Sequence, residues 1–193
     1  MRDAAAIVLA GGRSERFGSD KALAAFRGEP LLTHALRGAR AGFGEVLVVA
    51  KRAEPYAAFG ARVVLDRSPL STPLSGLEAG LAAASAGLVF CCAADMPHAA
   101  DARLLDALFA AVQGHDAAVP TCRGARQPLC ALYRRAPCLA AASALLAQGS
   151  AGPKRLLDAV RTAFLDWPDE RPFLDADTPA ALAELERQAG PPR

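Results

Sequence analysis

Ala4-Ala5-Ala6-Ile7-Val8-Leu9-Ala10-Gly11-Gly12 stands near the start of the chain. A short apolar run ended by a glycine pair is the pattern of a strand buried on both faces of a parallel sheet. The same theme returns at Glu45–Ala50 (EVLVVA), Arg62–Leu65 (RVVL) and Leu88–Ala93 (LVFCCA), with shorter strands expected at Ala117–Pro120 and Leu129–Tyr133. Helical patterns lie between and after them, at Leu31–Ala41, Gly76–Ala86, Asp101–Val112, Leu139–Gln148, Lys154–Val160 and Pro179–Gln188. Strand and helix in alternation predict an α/β fold, a three-layer α/β/α domain around a mostly parallel, Rossmann-like sheet. Residues 1–189 are expected to form one domain, and Gly190-Pro191-Pro192-Arg193 a frayed tail.

Composition agrees and narrows the function. The chain has 193 residues, 52% hydrophobic and 22% charged, enough for a sizeable core and too apolar for disorder. Lys plus Arg is 22 against 20 Asp plus Glu, a net charge of +2, so no broad field points to nucleic acid or an anionic membrane. No apolar run approaches the ~18 residues of a spanning helix and no signal-peptide pattern opens the chain, so it is expected to be soluble and cytoplasmic. The five cysteines (Cys91, Cys92, Cys122, Cys130, Cys138) are odd in number and form no CxxC pair, which argues against a disulfide framework or zinc site. The histidines His34, His98 and His115 are scattered, and no GxSxG elbow occurs.

In open α/β sheets ligands bind outside the carboxyl ends of the strands. The first such end reads Leu9-Ala10-Gly11-Gly12-Arg13-Ser14-Glu15-Arg16-Phe17-Gly18-Ser19-Asp20-Lys21. Glycines let successive N–H groups approach an anion, and Arg16 and Lys21 add full positive charge, so a polyphosphate is the natural guest. A P-loop is excluded because Gly12 and Gly18 are separated by five residues and Gly18 is followed by Ser19. A dinucleotide fingerprint is excluded because the first two glycines are adjacent.

The pattern L-A-G-G-R-S-x-R-x-G-x-D-K resembles the nucleotide loop of the molybdenum cofactor guanylyltransferases, within the wider nucleotidyltransferase family of the sugar-nucleotide pyrophosphorylases. Later segments resemble that family in the same order: Gly28-x-Pro30-Leu31, Pro73-Leu74-Ser75-Gly76-Leu77, Ala94-Asp95-Met96-Pro97, Gln127–Tyr133 (QPLCALY) and Phe173–Pro179 (FLDADTP). The resemblance implies a fold of the nucleotide-diphospho-sugar transferase type and a loop that wraps a nucleoside triphosphate. It implies nucleotide contacts from Leu9, Ala10, Gly11, Gly12, Lys21, Asp66, Gly76 and Asp95, with Lys21 on the phosphates.

Asp95 follows an apolar strand, where a carboxylate is unfavourable unless a cation meets it. Read alone, it suits a Mg²⁺ ligand and a turn or helix cap before Pro97 equally well; the resemblance favours metal. Asp66 ends the third strand, and a carboxylate can accept from guanine N1–H and N2–H but not from cytosine in the same way. The resemblance implies that Asp66 contacts the nucleotide; a turn role ahead of Ser68-Pro69 is its alternative. At the end of the second strand, where the family often has Asn, the run is Val48-Val49-Ala50-Lys51-Arg52, so any contact there must come from backbone or from Lys51.

Thr178 reads as a helix N-cap before Pro179. Relatives carry Asn where Asp175 and Asp177 stand, so either Asp177 helps hold Mg²⁺ or the second substrate sits differently. Lys154 and Arg155 are candidates for that substrate's phosphate, and a solvated helix start explains them as well. The resemblance implies Mg²⁺-dependent transfer of GMP from GTP to molybdenum-molybdopterin, with Arg16, Lys21 and Asp95 as catalytic residues. It also implies transient contacts with the proteins that make molybdopterin or receive the product, and no nucleic-acid or membrane partner. Two rivals stay open: a nucleotidyltransferase acting with CTP or on a sugar phosphate, and a non-catalytic nucleotide-binding protein that delivers cofactor.

Overall fold

A computed structural model describes residues 2–10, 20–149 and 152–189. The opening run forms β1 (Arg2–Leu9), in which Ala5, Ala6, Ile7 and Val8 are wholly buried. After a 3-10 turn at Lys21–Leu23 comes a hairpin of two-residue strands, β2 (Ala25–Phe26) and β3 (Glu29–Pro30). Its turn residues Arg27 and Gly28 both have positive φ, 52° and 83°, as a tight hairpin turn of primed type requires. Then follow α1 (Leu31–Gly42), β4 (Phe43–Ala50), β5 (Arg62–Leu65), α2 (Pro73–Ala83), β6 (Leu88–Ala93) and α3 (Ala102–Ala111). The remainder is β7 (Ala117–Cys122), β8 (Ala125–Arg126), β9 (Cys130–Arg134), α4 (Arg135–Ala147), α5 (Pro153–Ala159), β10 (Thr162–Asp166) and α6 (Pro179–Ala189).

The main sheet runs β10-β7-β9-β6-β1-β4-β5, with β8 hairpinned onto β7. β1 pairs in parallel with β4 and β6, β4 with β5, and β7 with β10. β9 runs antiparallel to both of its neighbours, β6 and β7. The expected mostly parallel sheet is present, with one reversed strand at its centre.

Alternation along β1 sorts the layers. Ala6 and Val8 face a core that includes Leu32, Ala35 and Leu36 of α1 and Leu104, Leu105 and Leu108 of α3. Ala5 and Ile7 face Leu74, Leu77 and Leu81 of α2, Cys138 and Ala142 of α4, and Leu156 and Leu157 of α5. Burying each of these aliphatic side chains contributes roughly 1.5–3 kcal/mol. Gly80 lets α2 lie directly on β1: a Cβ there would come within 2.7 Å of Ile7 Cδ1 and 3.1 Å of Val49 Cγ2. A smaller cluster of Phe26, Leu31, Ala176 and Leu185 seats α6 against the hairpin and the start of α1.

Several boundaries differ from the sequence expectation for local reasons. α2 begins at Pro73, not Gly76, because Thr72 and Ser75 form a reciprocal capping box and Pro73 takes the first helical position. α4 begins at Arg135 rather than Leu139, directly after β9. β10 was not expected; its Thr162-Ala163-Phe164-Leu165-Asp166 is short and weakly apolar, and its pairing with β7 decides it. All five cysteines are free and buried. Among the described residues no helix is long and apolar enough to cross a membrane.

Candidate active site

The strand order places the ends of β6, β1, β4 and β5 in a row along one edge of the sheet. Backbone bonds extend the register past the strands: Ala94 N–H to the Leu9 carbonyl (2.9 Å), Ala10 N–H to Val49 (2.8 Å) and Asp66 N–H to Ala50 (2.9 Å). Asp95, Ala10, Lys51 and Asp66 are thus carried on rigid backbone. They line one cavity of about 300 Å³, whose walls also include Leu9, Lys21, Gly76, Asp175 and Asp177. A larger cavity of about 440 Å³ lies between α1 and α6, near His98 and Arg171. Its charged groups are already engaged: Arg171 pairs with Asp169 at 2.8 Å, and Asp101 Oδ1 caps α3.

At one end of the strand-end cavity Lys21 meets two carboxylates. Its ammonium pairs with Asp95 Oδ2 and donates to Asp177 Oδ1 at 2.6 Å. Asp95 is only 4% exposed, so its charge depends on such a partner. Burial pulls the Lys21 ammonium down, but the two carboxylates outweigh it and hold the group above its ordinary value. Burial and the like charges of Asp177 and Asp95 push the Asp175 carboxyl up. Asp175 Oδ1 accepts from Asp177 N–H (3.3 Å), and Thr178 Oγ1 caps α6 through Ala181 N–H (3.1 Å).

Lys21 is held by its own neighbours. Asp20 Oδ1 accepts from Ala22 N–H (3.1 Å) and caps the 3-10 turn, while Tyr56 Oη donates to Asp20 Oδ2 at 2.6 Å. The sequence singled out neither Tyr56 nor Ser75; the D-K step and the P-L-S-G segment were the signals present.

At the other end lies a second buried carboxylate, Asp66, 7% exposed. Its Oδ1 accepts from Ser68 N–H (2.9 Å), the turn role weighed from sequence. Its Oδ2 accepts from Ser75 Oγ (2.8 Å) and pairs with Lys51 Nζ (2.9 Å), which also donates to the Ser68 carbonyl (2.6 Å). Lys51 thus stands at a strand end and lines the cavity.

The sequence candidates therefore sort into three groups. Leu9, Ala10, Lys21, Asp66, Gly76, Asp95, Asp175 and Asp177 line one cavity. Lys154 and Arg155 are exposed on α5 and do not line it. Gly11, Gly12 and Arg16 lie outside the described residues, as does the 190–193 tail.

For a divalent cation the donor set fits in kind: hard carboxylate oxygens of Asp95 and Asp177 already gathered about one positive charge. Among the described residues no group of three His, Cys, Asp or Glu could hold a metal alone. Phosphate and water would have to supply the other ligands, as is usual for Mg²⁺.

Comparison with known proteins follows the same lines. Residues 6–164 match the family model described as the MobA-like NTP transferase domain. The chain is 37% identical over 198 residues to a molybdenum cofactor guanylyltransferase of Burkholderia vietnamiensis, covering 94% of this chain and 95% of the relative. It is 38% identical over 174 residues to a probable molybdenum cofactor guanylyltransferase of Chloroflexus aggregans, covering 87% and 80%. Among solved structures, molybdopterin-guanine dinucleotide biosynthesis protein A from Archaeoglobus fulgidus superposes with a TM-score of 0.81 at 20% identity, over 96% of this chain and 98% of that one. A 2-C-methyl-D-erythritol 4-phosphate cytidylyltransferase from Thermus thermophilus superposes at 0.71 and 22%, over 98% and 99%.

Proposed function

The chain belongs to the MobA-like NTP transferase family and is a nucleotidyltransferase, and from that premise we propose that it transfers GMP from GTP to the terminal phosphate of molybdenum-molybdopterin. The products are the molybdopterin guanine dinucleotide cofactor and pyrophosphate. The observation that carries this reading is the cavity with an ammonium and two carboxylates at one end and a buried Lys–Asp pair at the other. A magnesium triphosphate needs both signs of charge, and a base needs paired donors and acceptors.

In the proposed reaction an oxygen of the acceptor phosphate attacks the α-phosphorus in line. The bond from that phosphorus to the bridging oxygen of the β-phosphate breaks, and pyrophosphate leaves. A phosphate is already a nucleophile, so no general base and no covalent enzyme intermediate is required. Catalysis is positioning and charge neutralisation.

Asp95, joined by Asp177, would hold Mg²⁺. When bound, the cation screens the triphosphate and draws electron density from the α-phosphorus. Lys21, supported from behind by Asp20 and Tyr56, would stabilise charge on the departing pyrophosphate. Leu9, Ala10 and Gly76 would flank the nucleoside, with Gly11, Gly12 and Arg16 completing the loop about the phosphates. Asp66 would contact the guanine. Asp175, whose carboxyl is pushed up by burial and by the like charges of Asp177 and Asp95, would lie beside the acceptor's phosphate. Lys154 and Arg155 remain candidates for that phosphate from outside the cavity. The enzyme would work in the cytoplasm with transient contacts to the proteins that supply molybdopterin or receive the product.

The test is pyrophosphate release from GTP, CTP and ATP, each with Mg²⁺ and with or without molybdopterin. Release from GTP that requires molybdopterin is the expected result. Release from CTP instead, or none despite intact GTP binding, would overturn the reading.

A further inference from the structure

Lys21 stands where a cation between Asp95 and Asp177 would stand. Its ammonium pairs with Asp95 Oδ2 and donates to Asp177 Oδ1 at 2.6 Å. The Asp95 side chain is buried, and among the described residues Lys21 is its only ion-pair partner. A carboxylate so deeply buried needs a positive charge beside it. Bonds from a small divalent ion such as Mg²⁺ to oxygen run about 2.0–2.1 Å, so such an ion on the same two oxygens would come within about 4–5 Å of the ammonium nitrogen. A double and a single positive charge that close repel strongly where water is largely excluded. The ammonium and a divalent ion therefore compete for one position.

The backbone beneath Lys21 is anchored independently of its ammonium. Asp20 caps the 3-10 turn through Ala22 N–H, and Tyr56 Oη holds Asp20. Leu23 N–H and Ala24 N–H close the turn onto the Asp20 and Lys21 carbonyls, at 3.0 and 3.1 Å. The Lys stem is a flexible four-carbon chain on the cavity wall, 24% exposed. The ammonium can thus turn from the carboxylates to a ligand in the cavity while the turn stays in place. A divalent ion alone would expel the ammonium and offer it nothing in return. A triphosphate bound with the ion offers phosphate oxygens. The carboxylates then pass from ammonium to metal, the ammonium passes from carboxylates to phosphate, and every charge keeps a partner.

We propose that Lys21 is a resident counter-ion: it neutralises Asp95 and Asp177 in the nucleotide-free chain and keeps free divalent ions from them, so that metal enters together with a nucleoside triphosphate. This rests on the nucleotidyltransferase reading above and deepens it, giving Lys21 a place before the reaction as well as one on the departing pyrophosphate. The consequence is an order of events. The carboxylates are released to the metal only when phosphate oxygens are there to take the ammonium, so the step that loads the metal also sets Lys21 on the triphosphate.

The test is electron paramagnetic resonance of Mn²⁺, which counts the free aquo ion, on the full chain without nucleotide. The wild type is expected to bind Mn²⁺ only at about millimolar concentration or weaker, and Lys21→Met at least roughly tenfold tighter. Adding Asp95→Asn to Lys21→Met should abolish the gain, and Lys21→Arg, which keeps the charge, should bind Mn²⁺ as weakly as the wild type. Thermal unfolding is the second readout. Mn²⁺ alone is expected to raise the Tm of Lys21→Met and leave that of the wild type unchanged, because an ion that binds only the folded state stabilises it by mass action. A wild type that binds Mn²⁺ alone at about 0.1 mM or tighter overturns the proposal without any variant. So does a folded Lys21→Met whose Mn²⁺ affinity and Tm response match those of the wild type. Failure of GTP to bind the wild type in the presence of Mn²⁺, with the difference between wild type and Lys21→Met intact, overturns the nucleotidyltransferase reading and leaves the exclusion of the free cation by Lys21 standing.

Discussion

Replacing Lys21 by Met keeps the stem and deletes the charge that Asp95 and Asp177 share. Removing one partner of a fully buried pair costs about 3–5 kcal/mol, since the other charge is left in low dielectric. Here Asp95 is buried, but the Lys21 side chain is 24% exposed and that of Asp177 58%, so water screens part of the loss. The expected destabilisation is about 2 kcal/mol, roughly 4–8 °C in Tm for a chain of this size. Urea unfolding at about pH 7 measures it as a shift in midpoint at constant m-value. The Lys21 ammonium is raised above its ordinary value in the fold, so its contribution is complete below the unfolded pKa and is lost only as pH rises through the folded one. The deficit is therefore the same at about pH 7 and about pH 9. Its origin is an uncompensated buried carboxylate, so adding Asp95→Asn to Lys21→Met should restore more than half of the lost stability while leaving turnover abolished. An unchanged midpoint in Lys21→Met, or a double variant whose losses simply add, would refute the reasoning.

Asp175→Asn should stabilise the fold at neutral pH. The native carboxyl is raised, so its charged form costs stability as pH climbs through that raised value, and the gain should vanish below the ordinary carboxylate range in a pH series of denaturation curves. Tyr56→Phe removes a 2.6 Å bond to a carboxylate and should cost about 1.5–3 kcal/mol; it should also lower kcat several-fold by loosening the turn that carries Lys21, read from steady-state rates beside a melting curve. Gly80→Val should cost about 1–3 kcal/mol through overpacking against Ile7 and Val49, measured by urea unfolding, with Gly80→Ala milder. Burial pushes the Cys92 and Cys138 thiols up to about 12, so a thiol reagent should label them only after denaturant is added; rapid labelling of the native chain would show that the sheet opens readily.

Much of the frame was legible because each of β1, β4, β5 and β6 is a short apolar run, and such runs leave few alternatives once helices alternate with them. Strand ends then pointed to Lys21, Asp66 and Asp95 without knowledge of the sheet order. The reversal of β9 was not legible, because direction is a property of pairing and Cys130–Arg134 would read the same either way. Nor were Tyr56 and Ser75, since a Tyr within a 3-10 turn and a Ser in a helix's first turn acquire meaning only when Asp20 and Asp66 arrive from other elements. The pairing of Lys51 with Asp66 at 2.9 Å was likewise hidden, because it joins two strand ends that no local pattern brings together.

The reversed β9 also dictates a timetable. β5, β4, β1 and β6 are all available once residue 93 has been synthesised, but the other side of β6 is covered only by β9, which ends at Arg134. Until then a chain emerging from the ribosome carries Leu88–Ala93, a wholly apolar strand, with one edge bare, and β7 has only its short hairpin mate. A bare apolar edge is the template on which nascent chains pair with one another. Slowing the emergence of residues 94–134 should therefore lower the soluble yield of this protein, whereas the same pause once Arg134 has emerged should cost little.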